Sequence, residues 1–267
     1  MKEKSSSKKY KLLIKLVKYP SNIFQNIYYS FHNFPTLIHN NLHILIIGEL
    51  MKNKNYLRKL KQNGVIMNGD GLVNIDEQVE IASGVTIEDN VYILGNSKIE
   101  KGAYIGSGTY IENSYIGCNA KVLNSRITNA YIGHSTTVGP YANIHTGSEI
   151  AEMCRVGNFV EIKNSHIGAL TKMAHLAYIG DADIGANCNI GCGAIFVNYD
   201  GTKKSRSTIG NSVFIGSNSN IIAPVTIHDG AYIAAGSTVT IDLQENDLCI
   251  ARAREVVKPN RSKYTAK

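Results

Sequence analysis

The chain has 267 residues, enough for one large domain or two small ones, with 24 glycines, 5 prolines and no tryptophan. Its formal charge is +7, but seven lysines against one glutamate fall in the first eighteen residues. The rest is close to neutral, so a global nucleic-acid role is not implied. The five cysteines (Cys118, Cys154, Cys188, Cys192 and Cys249) are odd in number and lack zinc-finger spacing, and Cys188 and Cys192 read as small residues in a reducing cytoplasm.

Residues 1–48 open with the lysine arm and continue through an aromatic-rich segment, Tyr10 to Phe34, whose apolar residues are partly helical in spacing. The expectation is an N-terminal helical extension that caps the open end of a solenoid. The competing reading is a basic amphipathic helix, with residues 1–35 making peripheral contact with an anionic membrane. No secretory signal is expected, because Leu12 to Val17 is interrupted by Lys15 and no small-residue cleavage site comes after it. Leu42 to Ile47 is far shorter than the roughly 20 residues a span needs. A cytoplasmic protein is expected, with the inner membrane surface as the variant of that reading. Residues 49–68 predict a linker helix stopped by Gly64, and Asn68 to Gly71 a turn into the next domain.

From Ile75 a six-residue beat takes over. Isoleucine recurs at Ile75, Ile81, Ile87, Ile93, Ile99, Ile105 and Ile111. Four places after each of the first six comes a small or short residue: Val79, Val85, Val91, Ser97, Ala103, Thr109. A period of six is neither helical nor simply alternating. It predicts an all-β chain, a parallel β-helix in which each hexad makes one short strand and a corner. The isoleucines point inward and stack from coil to coil. The step shortens to five at Ile116, Ile127 and Ile132, then recovers and runs to about Val239. Nine coils are expected over 69–247, on the order of 45 Å long at ~4.8 Å per coil. The beat stops once, at 197–208, where a polar and basic loop is thrown out. Loops on rigid scaffolds carry binding residues. A tail, 248–267, leaves the solenoid.

The beat also predicts which outward residues are neighbours. His145 should lie over Lys163. Asn158, His175 and Cys192 should form one corner column, and Glu161 and Tyr178 an adjacent one. An imidazole titrates near neutrality and suits a general base, so His175 is the candidate. Lys163 and Lys204 are candidate partners of a small anion. A zinc site is not expected, because His134, His145, His166 and His175 occupy different phases of the hexad.

The strings Val156 to Lys163, His175 to Ala182, Asn189 to Gly193, Asn198 to Gly201 and Ala223 to Ile227 resemble the C-terminal half of the bacterial bifunctional N-acetylglucosamine-1-phosphate uridyltransferase/glucosamine-1-phosphate N-acetyltransferase family. The resemblance spans roughly Glu49 to Arg254. It implies a left-handed parallel β-helix, a homotrimer and acetyl-CoA as donor, with no metal. It implies that His175 takes the proton of the attacking amine and that Lys163, Tyr178 and Lys204 hold the sugar phosphate. Asn189 would contact the sugar and Glu161 would support the surroundings of His175. Cys192, Asn198, Tyr199, Ser217, Ala235 and Arg252 would line the acetyl-CoA groove.

The chain departs from that family in three places. Residues 1–48 stand where the family has its nucleotidyltransferase domain, so uridylyl transfer is not expected. His145-Thr146 stands where the family has Arg-Pro, which replaces a fixed two-pronged cation by an imidazole. Val256 to Asn260 replaces an aromatic-bearing ending. The expected activity is N-acetylation of glucosamine 1-phosphate. Rivals are N-acetylation of another, or a nucleotide-linked, amino sugar, in which His145 would bind a different acceptor, and a silent trimeric scaffold.

Overall fold

The computed structural model describes residues 54–69 and 71–261. Residues 1–48, expected to form a cap or a membrane helix, lie outside the described residues. The chain divides into two compact units, 1–58 and 59–267. Of the first only 54–58 are described, and they are helical. In the second unit the helical residues 59–62 are stopped by Gly64 at φ 87°. Val65 N–H donates to Leu60 O and Gly64 N–H to Lys61 O, both at 3.1 Å. Leu60 and Val65 are both buried. A glycine at that place takes the left-handed turn without a steric penalty and lets the last carbonyls be satisfied.

The rest is a three-sided parallel β-helix. Its three sheets contain 11, 10 and 9 strands, and each strand pairs in parallel with the strand one coil earlier and one coil later. The first sheet exceeds the nine coils read from the beat because short strands outside it, Ile66–Met67 and Leu248–Cys249, extend it at both ends, and the second holds ten levels between Ile75 and Val239. Inward isoleucines sit opposite one another in register: Ile75↔Ile93, Ile93↔Ile111, Ile111↔Ile127, Ile127↔Ile144, Ile144↔Ile162, Ile162↔Ile179. Ile93, Ile111, Ile127, Ile144, Ile162 and Ile179 are wholly buried. β-Branched chains are stiff at χ1 and lose little on entering a strand, which is why the column is built of them. The small residues turn in as expected: Val79, Val85, Val91, Ser97, Ala103 and Thr109 are all buried. Where that place holds a hydroxyl, it finds a backbone acceptor: Ser97 donates to Leu94 O at 2.7 Å and Thr109 to Val122 O, one coil away, at 3.4 Å.

The five-residue steps have a physical cause at the corner. Those ending at Ile116, Ile127 and Ile132 turn on Asn113, Asn124 and Asn129, with φ of 46°, 38° and 47°. Two more, Ile162 to Ile167 and Ile179 to Ile184, turn on Asn164 and Asp181 at 48° and 49°. Asn and Asp visit this left-handed region more readily than other chiral residues.

Coils approach so closely that some glycines are obligatory. A Cβ at Gly157 would strike the carbonyl of Ala174 in the next coil. Gly157→Ala is expected to lower stability by about 1–3 kcal/mol through overpacking, read as a fall in unfolding midpoint in denaturant. A midpoint equal to wild type would show that the coils can part without cost.

Candidate active site

The candidate side chains fall into three groups: one on the first sheet, one on the second, and one on the loop that runs from the second sheet to the third. The first lies on the first sheet. Strands Arg155–Asn158 and Lys172–His175 pair with Asn158 directly opposite His175. His175 is exposed, and its Nδ1 lies 2.6 Å from Asn158 Oδ1. An amide oxygen can only accept, so Nδ1 carries the proton and donates. In that tautomer the ring presents Nε2 as a bare lone pair. Tautomer and ring angle are set by one neighbour in the adjacent coil, which is what a general base requires.

The line continues upward. Met173 pairs with Ile190, Ile190 with Ile215 and Ile215 with Ile233. Cys192, Ser217 and Ala235, each two residues further on, therefore sit at successive levels above His175. Arg252 closes the line, its Nη1 donating to Ala235 O at 3.0 Å. At about 4.8 Å per coil, His175 to Arg252 spans roughly 19 Å. Asn189 stands on the same sheet opposite Lys172.

The second group is on the second sheet. Asn143 pairs with Glu161, and Glu161 with Tyr178. His145 Nε2 lies 2.7 Å from Glu161 Oε1, and Asn143 Nδ2 lies 3.0 Å from the same ring nitrogen. The carboxylate of Glu161 thus reaches His145, while the contact of His175 is to Asn158. Lys163 pairs with Gly180. A Cβ at Gly180 would fall 2.5 Å from the Tyr178 hydroxyl and 2.8 Å from Asn198 Nδ2. The bare glycine is the floor on which these two polar tips rest. Burial pushes the Tyr178 phenol above its ordinary value, the Asn198 amide opposes this, and Glu161 and Asp181 add to it. Tyr178 is therefore a neutral hydroxyl at physiological pH, able to donate.

The third group is the loop. Asn198, buried, donates to Asp181 Oδ2 at 2.5 Å. Beyond it the chain forms a short hairpin in which Tyr199 and Lys204 bridge. Asp200 Oδ1 accepts from the backbone N–H of Thr202 and of Lys203, both at 2.8 Å. These bonds hold the carboxyl of Asp200 below its ordinary range. Tyr199 and Lys204 are exposed.

The candidates named from the sequence fall on or beside the first sheet (His175, Asn189, Cys192, Ser217, Ala235 and Arg252), on the second (His145, Glu161, Lys163 and Tyr178), or on the loop, which is joined to the second sheet through Asn198 and Asp181. Asn158 as the partner of His175, and Asp181 as the anchor of Asn198, have no role that the sequence alone assigns. The 17-residue column places Asn158 beside His175, yet a column does not say which tip bonds to which. Among the described residues, no group of three or more His, Cys, Asp or Glu side chains is placed to hold a metal ion. Among the same residues no helix is long and apolar enough to cross a membrane.

The family "Bacterial transferase hexapeptide (six repeats)" matches residues 78–113 and 206–240. The bifunctional protein GlmU of Trichormus variabilis is 45% identical over 196 residues, which is 73% of this chain and 44% of that protein. GlmU of Clostridium botulinum strain Langeland is 44% identical over 211 residues, 79% of this chain and 46% of that one. The chain belongs to the hexapeptide-repeat transferases. Within them it corresponds to the C-terminal, acetyltransferase half of GlmU, and it spans less than half the length of these relatives. Among solved structures, a UDP-N-acetylglucosamine acyltransferase from Francisella novicida aligns over 65% of this chain and 62% of that one, at 17% identity and a TM-score of 0.46. In this hexapeptide-repeat chain the bare lone pair on His175 is open to a direct check. The ¹⁵N spectrum at alkaline pH is expected to show His175 with Nδ1 protonated and Nε2 bare. In Asn158→Ala the ring should shift toward the Nε2–H form. Identical spectra would remove Asn158 from its role.

Proposed function

We propose that the chain is an acetyl-CoA-dependent N-acetyltransferase acting on the amine of glucosamine 1-phosphate. The single observation that carries this is the His175–Asn158 pair, which leaves a bare imidazole Nε2 at the foot of a straight line of exposed residues. In the reaction, the amine nitrogen attacks the thioester carbonyl and forms the N–C bond. His175 Nε2 takes the proton that the nitrogen sheds. The C–S bond then breaks, and the leaving thiolate takes that proton from the imidazolium, which restores the neutral base. The line from Cys192 through Ser217 and Ala235 to Arg252 suits an extended donor lying along the edge, with the guanidinium toward its phosphates. Asn198 and Tyr199 flank the thioester end. Lys163, Lys204 and the Tyr178 hydroxyl suit the acceptor's phosphate, and Asn189 its sugar ring. Such a reaction belongs in the cytoplasm, where acetyl-CoA is made.

The working form is a homotrimer. Support comes from the edge beside the base: Tyr141, Phe159 and Leu176 are exposed, with φ of 59°, 58° and 48°. Bulky residues in left-handed backbone cost of order 1 kcal/mol each, and an exposed apolar row next to a site fits cover by a neighbouring copy.

One observation favours a second acceptor. The imidazole of His145 is engaged by Glu161, to which its Nε2–H donates, and no fixed fork of donors is offered at that place. An amino sugar with less charge at C1, or a nucleotide-linked one, fits this better.

Free thiol release from acetyl-CoA, followed against a panel of amino sugars and their phosphates, separates these readings. Turnover is expected with glucosamine 1-phosphate. His175→Ala should lower kcat by about 10²–10⁴-fold while leaving the melting temperature unchanged, since the ring is exposed. Turnover only with a neutral or nucleotide-linked sugar selects the second acceptor, and none with any sugar leaves a scaffold. His145→Arg is expected to lower KM for glucosamine 1-phosphate; an equal or higher KM would clear His145 of the loss.

A further inference from the structure

The loop is an insertion at the corner between the second and third sheets, which in other coils turns in five or six residues. In the two coils before it, Ile162 to Ile167 and Ile179 to Ile184 make that turn on Asn164 and Asp181. Here the chain leaves strand Ile195–Val197 of the second sheet and returns at strand Ser207–Ile209 of the third. Between them the hairpin is internally braced, closed by Ser205 N–H donating to Asn198 O at 2.8 Å. A braced hairpin on a tight corner keeps one soft motion, a tilt about its two feet. The foot at Asn198 is held by Asp181. The other is Arg206.

Arg206 grips backbone and side chain of the two coils before its own. Its Nε donates to Asp183 Oδ2 at 2.6 Å and its Nη2 to Asp183 Oδ1 at 2.5 Å, a two-pronged pair. Nη1 donates to Asn164 O at 2.8 Å and Nη2 to Ala182 O at 3.2 Å. Asp183 is held in turn from the coil below, where His166 Nδ1 lies 2.7 Å from Asp183 Oδ1. That nitrogen donates to the carboxylate, so the 3.2 Å approach of Arg206 Nη2 to it is not a hydrogen bond. Arg206, and then burial and His166, govern the Asp183 carboxyl, with the net effect of holding it below its ordinary range. Lys204, two residues before Arg206, is exposed and makes no ion pair among the described residues. Its position is therefore inherited from the hairpin.

We infer that Arg206, locked to Asp183, is a positioning residue that fixes the tilt of the hairpin and so the place of Lys204 and Tyr199 over the site. It touches neither substrate. The inference rests on the proposed acetyl transfer for its kinetic consequence and on the geometry alone for its mechanical one. A lysine at 206 keeps the charge but lacks the fork, so it cannot grip Asp183 and the carbonyls of Asn164 and Ala182 together.

The test uses the full chain and two readouts. Cleavage by a lysine-specific protease after Lys203 and Lys204, without substrates, is expected to speed up about tenfold in Arg206→Ala and Asp183→Asn, as the hairpin opens locally. Asp183→Glu should remain near wild type. In thiol release, Arg206→Ala and Arg206→Lys should raise KM for the acceptor about tenfold, the worth of one lost charge-assisted contact, with kcat and melting temperature little changed. Cleavage at the wild-type rate overturns the clamp. Faster cleavage with unchanged KM, or a KM change matched by a collapse in melting temperature, overturns its positioning role. If wild type turns over no sugar while the variants still cleave faster, the acetyl-transfer reading fails and the clamp stands.

Discussion

Everything in this molecule depends on the parallel pairing of each coil with the one below it. The N–H of an outward residue donates to a carbonyl one coil away, as Asn143 does to Val160 O at 2.9 Å and His145 to Ile162 O at 2.8 Å. Because pairing is backbone to backbone, it fixes register whatever the outward side chain is. The inward isoleucines then make that register hard to change, since a one-residue slip would turn the whole column to solvent. The outward face is left free to vary without harm to the fold, and that is where the chemistry sits.

This explains why the candidate site needs so few parts. Asn158 and His175 are neighbours because their strands are neighbours, and no loop has to close to bring them together. The line from His175 to Arg252 is straight because the edge of the solenoid is straight. The hairpin after Val197 departs from the repeat, and side chains tie it down where coil pairing does not. Asn198 on Asp181, a corner residue, and Arg206 on Asp183, in the strand that follows that corner, hold its two feet to one short stretch of chain.

The periodic part of the structure is legible in the residues, because a six-residue repeat converts directly into spatial columns. Ile75 to Ile111 name the core, and the 17-residue spacing alone sets Asn158 beside His175 and Glu161 beside Tyr178. What the repeat does not carry is the direction of the polar tips. By its column Glu161 stands near enough to either histidine, and it is side-chain reach that pairs it with His145. The clamp of Arg206 on Asp183 is invisible for another reason: the loop has no period, so nothing in its spacing says where it returns. The strands at Ile66–Met67 and Leu248–Cys249 escape the repeat because their residues break the isoleucine pattern while the backbone goes on pairing.

At the heart of the proposed chemistry, an exposed imidazole oriented by one amide takes a proton from an amino sugar as acetyl is transferred. The plainest check on this is the ¹³C spectrum of the sugar product after incubation with acetyl-CoA labelled at the carbonyl carbon. With the wild-type chain, the expected signal is an amide carbonyl joined to the amine nitrogen of glucosamine 1-phosphate. With His175→Ala, no such signal should rise above the uncatalysed background. Label that stays on the thioester with the wild-type chain, or equal amide formation by both, would contradict a catalytic His175.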